Sequence, residues 1–360
     1  MPANRVQIAQ REQLAGDLDV SFKSPNANDV LVLSGGPIDG AYGIGFLDGW
    51  NKSIDEPQPK FRIVTGISAG ALMATPAFLG EAKDYEQLVQ RYLKLRDQDV
   101  FSRRFLPALL WSDSLATTDP LAKLLREEIT CEVINRVAYE FTQHRRHLYV
   151  GTVDLDAGIF KIWDLTRLAA SDGPACREKY CEILRASAAI PVFFQPVFIN
   201  EHMHVDGGTC EKLFLRDWIL HVKKAYKKAV TEQPGMMAPT VYVIVNGRIH
   251  PDGECVRDRL IPVAMRSFNV NQSAQKISNL TEVWAITQIE DPKLGFKYIA
   301  VPDELRKPPS HGFFDPNVLH FLYVEGKKAA ISPIAWKTEP PDGDDDPIVK
   351  ALRSWIDKEK

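Results

Sequence analysis

The stretch RIVTGISAGALMA sets Ser68 between Gly66 and Gly70 in the spacing G-x-S-x-G. A serine hydroxyl is a weak nucleophile until a turn exposes it and a base takes its proton. This five-residue pattern meets the first need when a strand leads into it and a helix leaves it. The glycines then let partner backbone pack against a sharp turn. Both flanks fit, with a short apolar strand over residues 62–65 and a helix-forming run over 69–79. The competing reading is a glycine-rich strand–helix turn with a bystander serine, which has the same spacing and no chemistry.

A second glycine cluster lies upstream in NDVLVLSGGPIDGAYGIGF, residues 28–46. An apolar strand over residues 30–33 ends at Ser34, Gly35 and Gly36, and a helix begins near Gly40. Backbone N–H groups in such a turn await a negative guest. A P-loop fits poorly, because Lys and then Ser or Thr must follow its last glycine and here Ala41 and Tyr42 do. Gly35, Gly36 and Gly40 also miss the dinucleotide spacing, and Asp39 would repel a pyrophosphate. The other candidate guest is an oxyanion, formed only during a reaction and needing a nucleophile such as Ser68 close by.

The base must come from farther along the chain. In an α/β-hydrolase the order is Ser, acid, His, and of the eight histidines His311, in PSHGFFDP, is the best placed for that role. The elbow, however, is only the second strand–turn–helix here. Asp206 in EHMHVDGGTC is the stronger candidate, because Gly207 and Gly208 hold it on a tight loop that can approach a neighbouring backbone. A third option uses the alternation of His202, His204 and Asp206, which on a strand would share one face and offer metal ligands. No H-x-x-x-H follows to complete that set.

The elements that position these residues follow an α/β rhythm. Strands are expected at residues 30–33, 62–65, 148–154, 159–163, 197–199 and 240–245. Helices are expected at 40–51, 69–79, 85–95, 121–139, 213–228 and 255–286. Alternation of this kind implies a mainly parallel sheet covered on both faces. The 360 residues carry a formal net charge of -3, which gives no electrostatic case for nucleic acid. Five cysteines form no C-x-x-C pair, and Cys176 and Cys181 read as reduced thiols. The first twenty residues hold no apolar core of a secretory signal, which favours a cytoplasmic location, and no apolar run reaches the length of a membrane span.

Taken in order, SGGPIDGAYGIG, then GISAG, then ASAAIPVFFQPV leading to VDGG resemble the patatin-like phospholipase family, over residues 30–214. VYVIVNG (241–247) is more weakly similar, and FDPNVLHFLYVEGKKA (314–329) resembles the closing helix of bacterial members. The resemblance implies a three-layer α/β/α patatin-like fold and a lipid acyl hydrolase working through a Ser–Asp dyad. It makes Ser68 the nucleophile and Asp206 the base, with oxyanion donors at Gly35, Gly36 and Ile38. Gly40, Gly66, Gly70, Gly207 and Gly208 are then the motif glycines. It implies a lipid or ester substrate and no metal or organic cofactor. Domain limits are expected at 1–27 (extension), 28–335 (hydrolase) and 336–360 (acidic linker and helix).

Two positions depart from the family pattern. The turn's usual third glycine is Pro37, which has no N–H to donate. A customary Arg or Lys is replaced by Asp39, which is expected to disfavour an anionic head group beside the turn. DVFSRRFLPALLWSD, residues 99–113, mixes apolar residues with Arg103 and Arg104 in a way suited to peripheral membrane contact. A helical cap packed on the core or lining an acyl pocket explains it better. A catalytically weak binding protein on the same scaffold is the non-enzymatic alternative.

Overall fold

A computed structural model of the chain describes residues 28–103, 114–171, 175–210, 216–250, 255–289, 292–332 and 335–341, with isolated positions outside these runs. The strands are β1 (Val30–Leu33), β2 (Ile63–Gly66), β3 (Ser102–Arg103), β4 (Ser114–Thr117), β5 (His147–Asp154), β6 (Ile159–Asp164), β7 (Val192–Phe194), β8 (Val197–Ile199), β9 (His202–Asp206), β10 (Thr240–Val245) and β11 (Gly295–Ala300). Eight of them form the central sheet, and β3, β4 and β7 form a small separate one.

In the central sheet β11, β10, β1, β2 and β5 are successive parallel neighbours. Parallel strands need both faces covered, and β1 shows how the sequence meets that need. Leu31 and Leu33 join a core with Ile44, Phe46, Phe78 and Leu319, from the helices Gly40–Asn51, Ala69–Leu79 and Pro316–Ala330. Val30 and Val32 face the opposite way, toward Ile219, Val222, Leu280 and Val283 of the helices Arg216–Glu232 and Leu260–Gln288. One uninterrupted apolar strand thus feeds two cores, which gives the three-layer α/β/α arrangement.

The far end of the sheet is antiparallel, and its register positions the site. β5 pairs with β6 over residues 149–154, with β2 over 147–150 and with β9 over 152–154. Residues shared with β6 leave only the other edge of β5 for both β2 and β9. The two strands therefore meet end to end along that edge. β2 arrives with Gly66 opposite Val150, and β9 descends with Asp206 opposite Thr152.

Most elements form where the sequence places them, and three observations refine the reading. The single helix expected over 121–139 is two, Asp119–Glu128 and Cys131–His144. They break at Thr130, whose hydroxyl accepts the Val133 N–H at 3.3 Å and starts the second helix. β3, β4, β7 and β11 are strands beyond those expected, and β11 is an edge strand of the central sheet with alternating burial at Phe296 and Tyr298. Residues 104–113, with most of the apolar candidate segment, lie outside the described residues. Among the described residues, no helix is long and apolar enough to cross a membrane.

Candidate active site

Ser68 sits between β2 and the Ala69–Leu79 helix with φ 56° and ψ −127°. A side chain rarely tolerates this backbone, and such strain persists only where the surroundings over-determine it. Here they do. The Gly70 N–H bonds the Ile67 carbonyl at 2.8 Å, and the Ile67 N–H bonds the Leu33 carbonyl at 3.2 Å. A Cβ at Gly70 would stand 2.3 Å from the Leu33 carbonyl oxygen, so only glycine lets the elbow lie against the end of β1. Gly66 closes β2 beneath it.

The glycine turn leaves β1 beside the elbow. Gly36 has φ 148°, and a Cβ there would fall 1.6 Å from the Asn246 carbonyl oxygen. Asn246 grips the turn: its backbone N–H donates to Ser34 Oγ at 2.9 Å, and its Nδ2 donates to the Ser34 carbonyl at 2.6 Å. Ser34 Oγ in turn donates to the Gly35 carbonyl at 3.0 Å. Gly40 begins the next helix and spends its N–H on the Gly36 carbonyl at 2.8 Å. Among the described residues, the N–H groups of Gly35, Gly36 and Ile38 have no hydrogen-bond partner. Pro37 offers none, and its carbonyl accepts the Tyr92 hydroxyl. The turn thus keeps three donors open despite the proline.

Asp39 is not an unanswered charge. Its carboxylate pairs with Lys307 Nζ at 2.5 Å. Lys276, nearly buried, also feels it: burial lowers the lysine's pKa, and Asp39 partly offsets the effect. Two cations from distant elements therefore stand where the family carries one within the turn. The repulsion of an anionic head group expected from Asp39 alone is compensated locally.

Asp206 ends β9 and is 2% exposed. Its Oδ1 accepts the Gly208 N–H at 2.7 Å, and its own N–H donates to the Ala189 carbonyl at 2.9 Å. Because β2 and β9 share one edge of β5, Gly66 and Asp206 oppose residues only two apart, about 7 Å along a strand. Gly207 closes the remaining space, since a Cβ there would lie 3.3 Å from Ile67 Cγ2. The elbow and the aspartate loop are in contact at the carboxyl end of β2, where open α/β sheets hold their ligands.

The alternating histidines separate. His202 Nδ1 lies 2.9 Å from Asp154 Oδ2, and with Asp156 these two bring three ligand atoms within 4.8 Å of one another. His204 is buried, lies 3.0 Å from Thr152 Oγ1 through Nδ1 and packs edge-on against Trp163. Burial lowers its pKa. Asp206 joins neither histidine in a ligand group among the described residues. A cation at this end of the sheet would take Asp154, Asp156 and His202 instead of the alternative set of His202, His204 and Asp206. Asp17, His147 and Asp164 form a second group. His311 lines a different cavity of about 760 Å³ with Arg96, Asp97, Phe101 and Phe314, and Ser68 is not in its lining.

Several contributors escape a reading by motif. The Ala69 N–H opens the helix after the elbow and has no intrahelical acceptor. Its signal was available, since the residue after the serine is a usual donor in such elbows. Ser187, Asn246, Tyr92 and Lys307 reach the site across more than fifty residues of sequence and carry no local signature.

No curated protein matches this chain. Among solved structures it is similar to the crystal structure of VipD from Legionella pneumophila, at 12% sequence identity and a TM-score of 0.39. The match covers 84% of this chain and 66% of that one, so this chain spans just under two thirds of that structure's length. The family described as Patatin-like phospholipase matches residues 31–217, a span that contains the glycine turn, the Ser68 elbow and Asp206. The chain belongs to the patatin-like phospholipase family.

Proposed function

We propose that this protein is a serine-dependent lipid acyl hydrolase that works through a Ser68–Asp206 dyad. Its family supports hydrolysis of lipid esters in general. The observation that carries the finer reading is the end-to-end meeting of β2 and β9 on one edge of β5. That meeting brings the strained serine and a buried carboxylate to neighbouring positions. Asp206 takes the Ser68 proton as Oγ attacks the ester carbonyl. The N–H groups of Gly35, Gly36 and Ile38 hold the oxyanion, with Ala69 as a further donor. The alcohol leaves with that proton; water, deprotonated by Asp206, then attacks the acyl-enzyme, and Ser68 Oγ leaves with the second proton as the acid is released.

The test is labelling by a fluorophosphonate together with hydrolysis of a lipid panel. Ser68→Ala is expected to abolish both while the protein stays folded. Asp206→Asn is expected to lose several orders of magnitude in kcat, and chelation is expected to leave hydrolysis intact. A label on another serine, or activity lost with a bound metal, overturns the reading.

A further inference from the structure

Ser187 is the last residue of the Ala175–Ser187 helix and is fully buried. Its neighbours Ala186, Ala188 and Ala189 are small and apolar, so a hydroxyl among them needs partners to offset its desolvation. It has two. Ser187 Oγ accepts the Ser68 N–H at 3.0 Å and donates to the Gly151 carbonyl at 2.8 Å. Two residues on, the Ala189 carbonyl accepts the Asp206 N–H at 2.9 Å. The Gly151 carbonyl also abuts the aspartate loop, since a Cβ at Gly207 would stand 2.6 Å from its oxygen. A three-residue segment therefore grips the backbone of both Ser68 and Asp206. The Gly151 carbonyl is the shared anchor.

The bond to Ser68 has a chemical consequence. In trypsin-like proteases the nucleophile's own N–H helps hold the oxyanion. Here that N–H is occupied by Ser187, and it fixes the peptide plane entering the strained φ at Ser68. Ser187 thus withdraws one donor from the oxyanion and uses it to aim the nucleophile.

Resting on the acyl-hydrolase reading, we propose that Ser187 is a positioning residue, whose hydroxyl sets the distance and direction from Ser68 to Asp206. A misplacement on the order of 1 Å at reacting groups costs about 10²-fold in rate. Ser187→Ala is therefore expected to lower kcat for a short-chain ester by about 10²-fold, with KM nearly unchanged. The second-order rate of fluorophosphonate labelling at Ser68 should fall by a similar factor. Ser187→Cys, close in size with a weaker donor and acceptor, should fall between wild type and Ser187→Ala in both rates.

Both variants are compared per active site, counted by exhaustive labelling, below their melting temperatures. A purely structural role would reduce the number of labelled sites or the Tm and leave kcat per site at the wild-type value. That result in Ser187→Ala overturns the proposal, as does a change confined to KM. If Ser187→Ala does not fold, Ser187→Cys decides alone, and wild-type rates in it overturn the proposal. A wild-type protein that labels at Ser68 and hydrolyses esters separates these outcomes from failure of the dyad. A wild-type protein that does neither overturns both.

Discussion

Ser68 holds its backbone in a conformation that costs a residue with a Cβ about 1–3 kcal/mol. Glycine escapes that cost and gives back part of the gain through unfolded-chain entropy. Ser68→Gly is therefore expected to raise stability by up to about 1–2 kcal/mol while abolishing hydrolysis, as read by chemical denaturation beside an ester assay. A loss of stability would mean that the elbow is not strained. Asp39 makes a second prediction at this scale. From the sequence, Asp39→Arg should favour anionic phospholipids. With Lys307 paired to Asp39 and Lys276 close by, it should instead crowd three cations and cost on the order of 1 kcal/mol. The double variant Asp39→Arg with Lys307→Asp restores opposite charges and should recover most of that loss. Urea midpoints of the two variants decide it, and no recovery in the double variant would make the pair incidental.

The strand β9 carries its own pH response. His204 is buried against Thr152 and Trp163, and burial lowers its pKa below the ordinary value of 6.5. The unfolded chain thus takes up a proton below pH 6.5 that the folded strand does not accept until lower pH. Stability is highest above 6.5 and declines as pH falls through the window down to the depressed native pKa, below which this contribution is constant. The slope cannot exceed about 1.4 kcal/mol per pH unit for one group. Asp154 acts in a separate, lower window. Burial raises its pKa, but the Ala157 N–H, His202 and His204 together bring it below the usual 3.8, so its stabilisation is lost only as pH falls below that value. His204→Asn should flatten the decline below pH 6.5 and, by removing one charge that lowers the Asp154 pKa, shift the lower limb slightly upward in pH. Denaturant midpoints across that range measure it, and an unchanged decline assigns the effect to other groups.

At the scale of the whole molecule, the residues before β1 are more than a passive leader. Leu18 is fully buried in the core that includes Ile219 and Leu280. The Arg62 guanidinium is fully buried, donates to the Ser21 carbonyl and bonds Asn28 Oδ1 at 3.1 Å. Its pKa is pushed down to about 10 by burial and by Arg146. Deleting residues 1–27 should cost at least about 2 kcal/mol through the exposed pocket of Leu18 alone. A truncated protein with the full-length denaturation midpoint would make those residues an appendage. The sequence exposed the elbow, the glycine turn and Asp206 because each is a local pattern of strand, glycine and polar residue. It could not expose Ser187 on Ser68, Asn246 on Ser34 or Lys307 on Asp39, because spatial partners so distant leave no periodicity to read. The break at Thr130 was legible in principle, since Thr is a favoured cap, but the apolar rhythm runs through it. Meeting end to end on β5 also gives the site a history in time. β2 and β5 leave the ribosome well before β9, and residues 69 to 205 separate Ser68 from Asp206. At roughly 5–20 residues per second, a nascent chain carries Ser68 for about 7–28 seconds before Asp206 is made, and Ser187, which holds the Ser68 N–H, is itself among the later residues. On the proposed dyad, a nascent chain therefore stays hydrolytically silent until Asp206 and then Asn246 are in place.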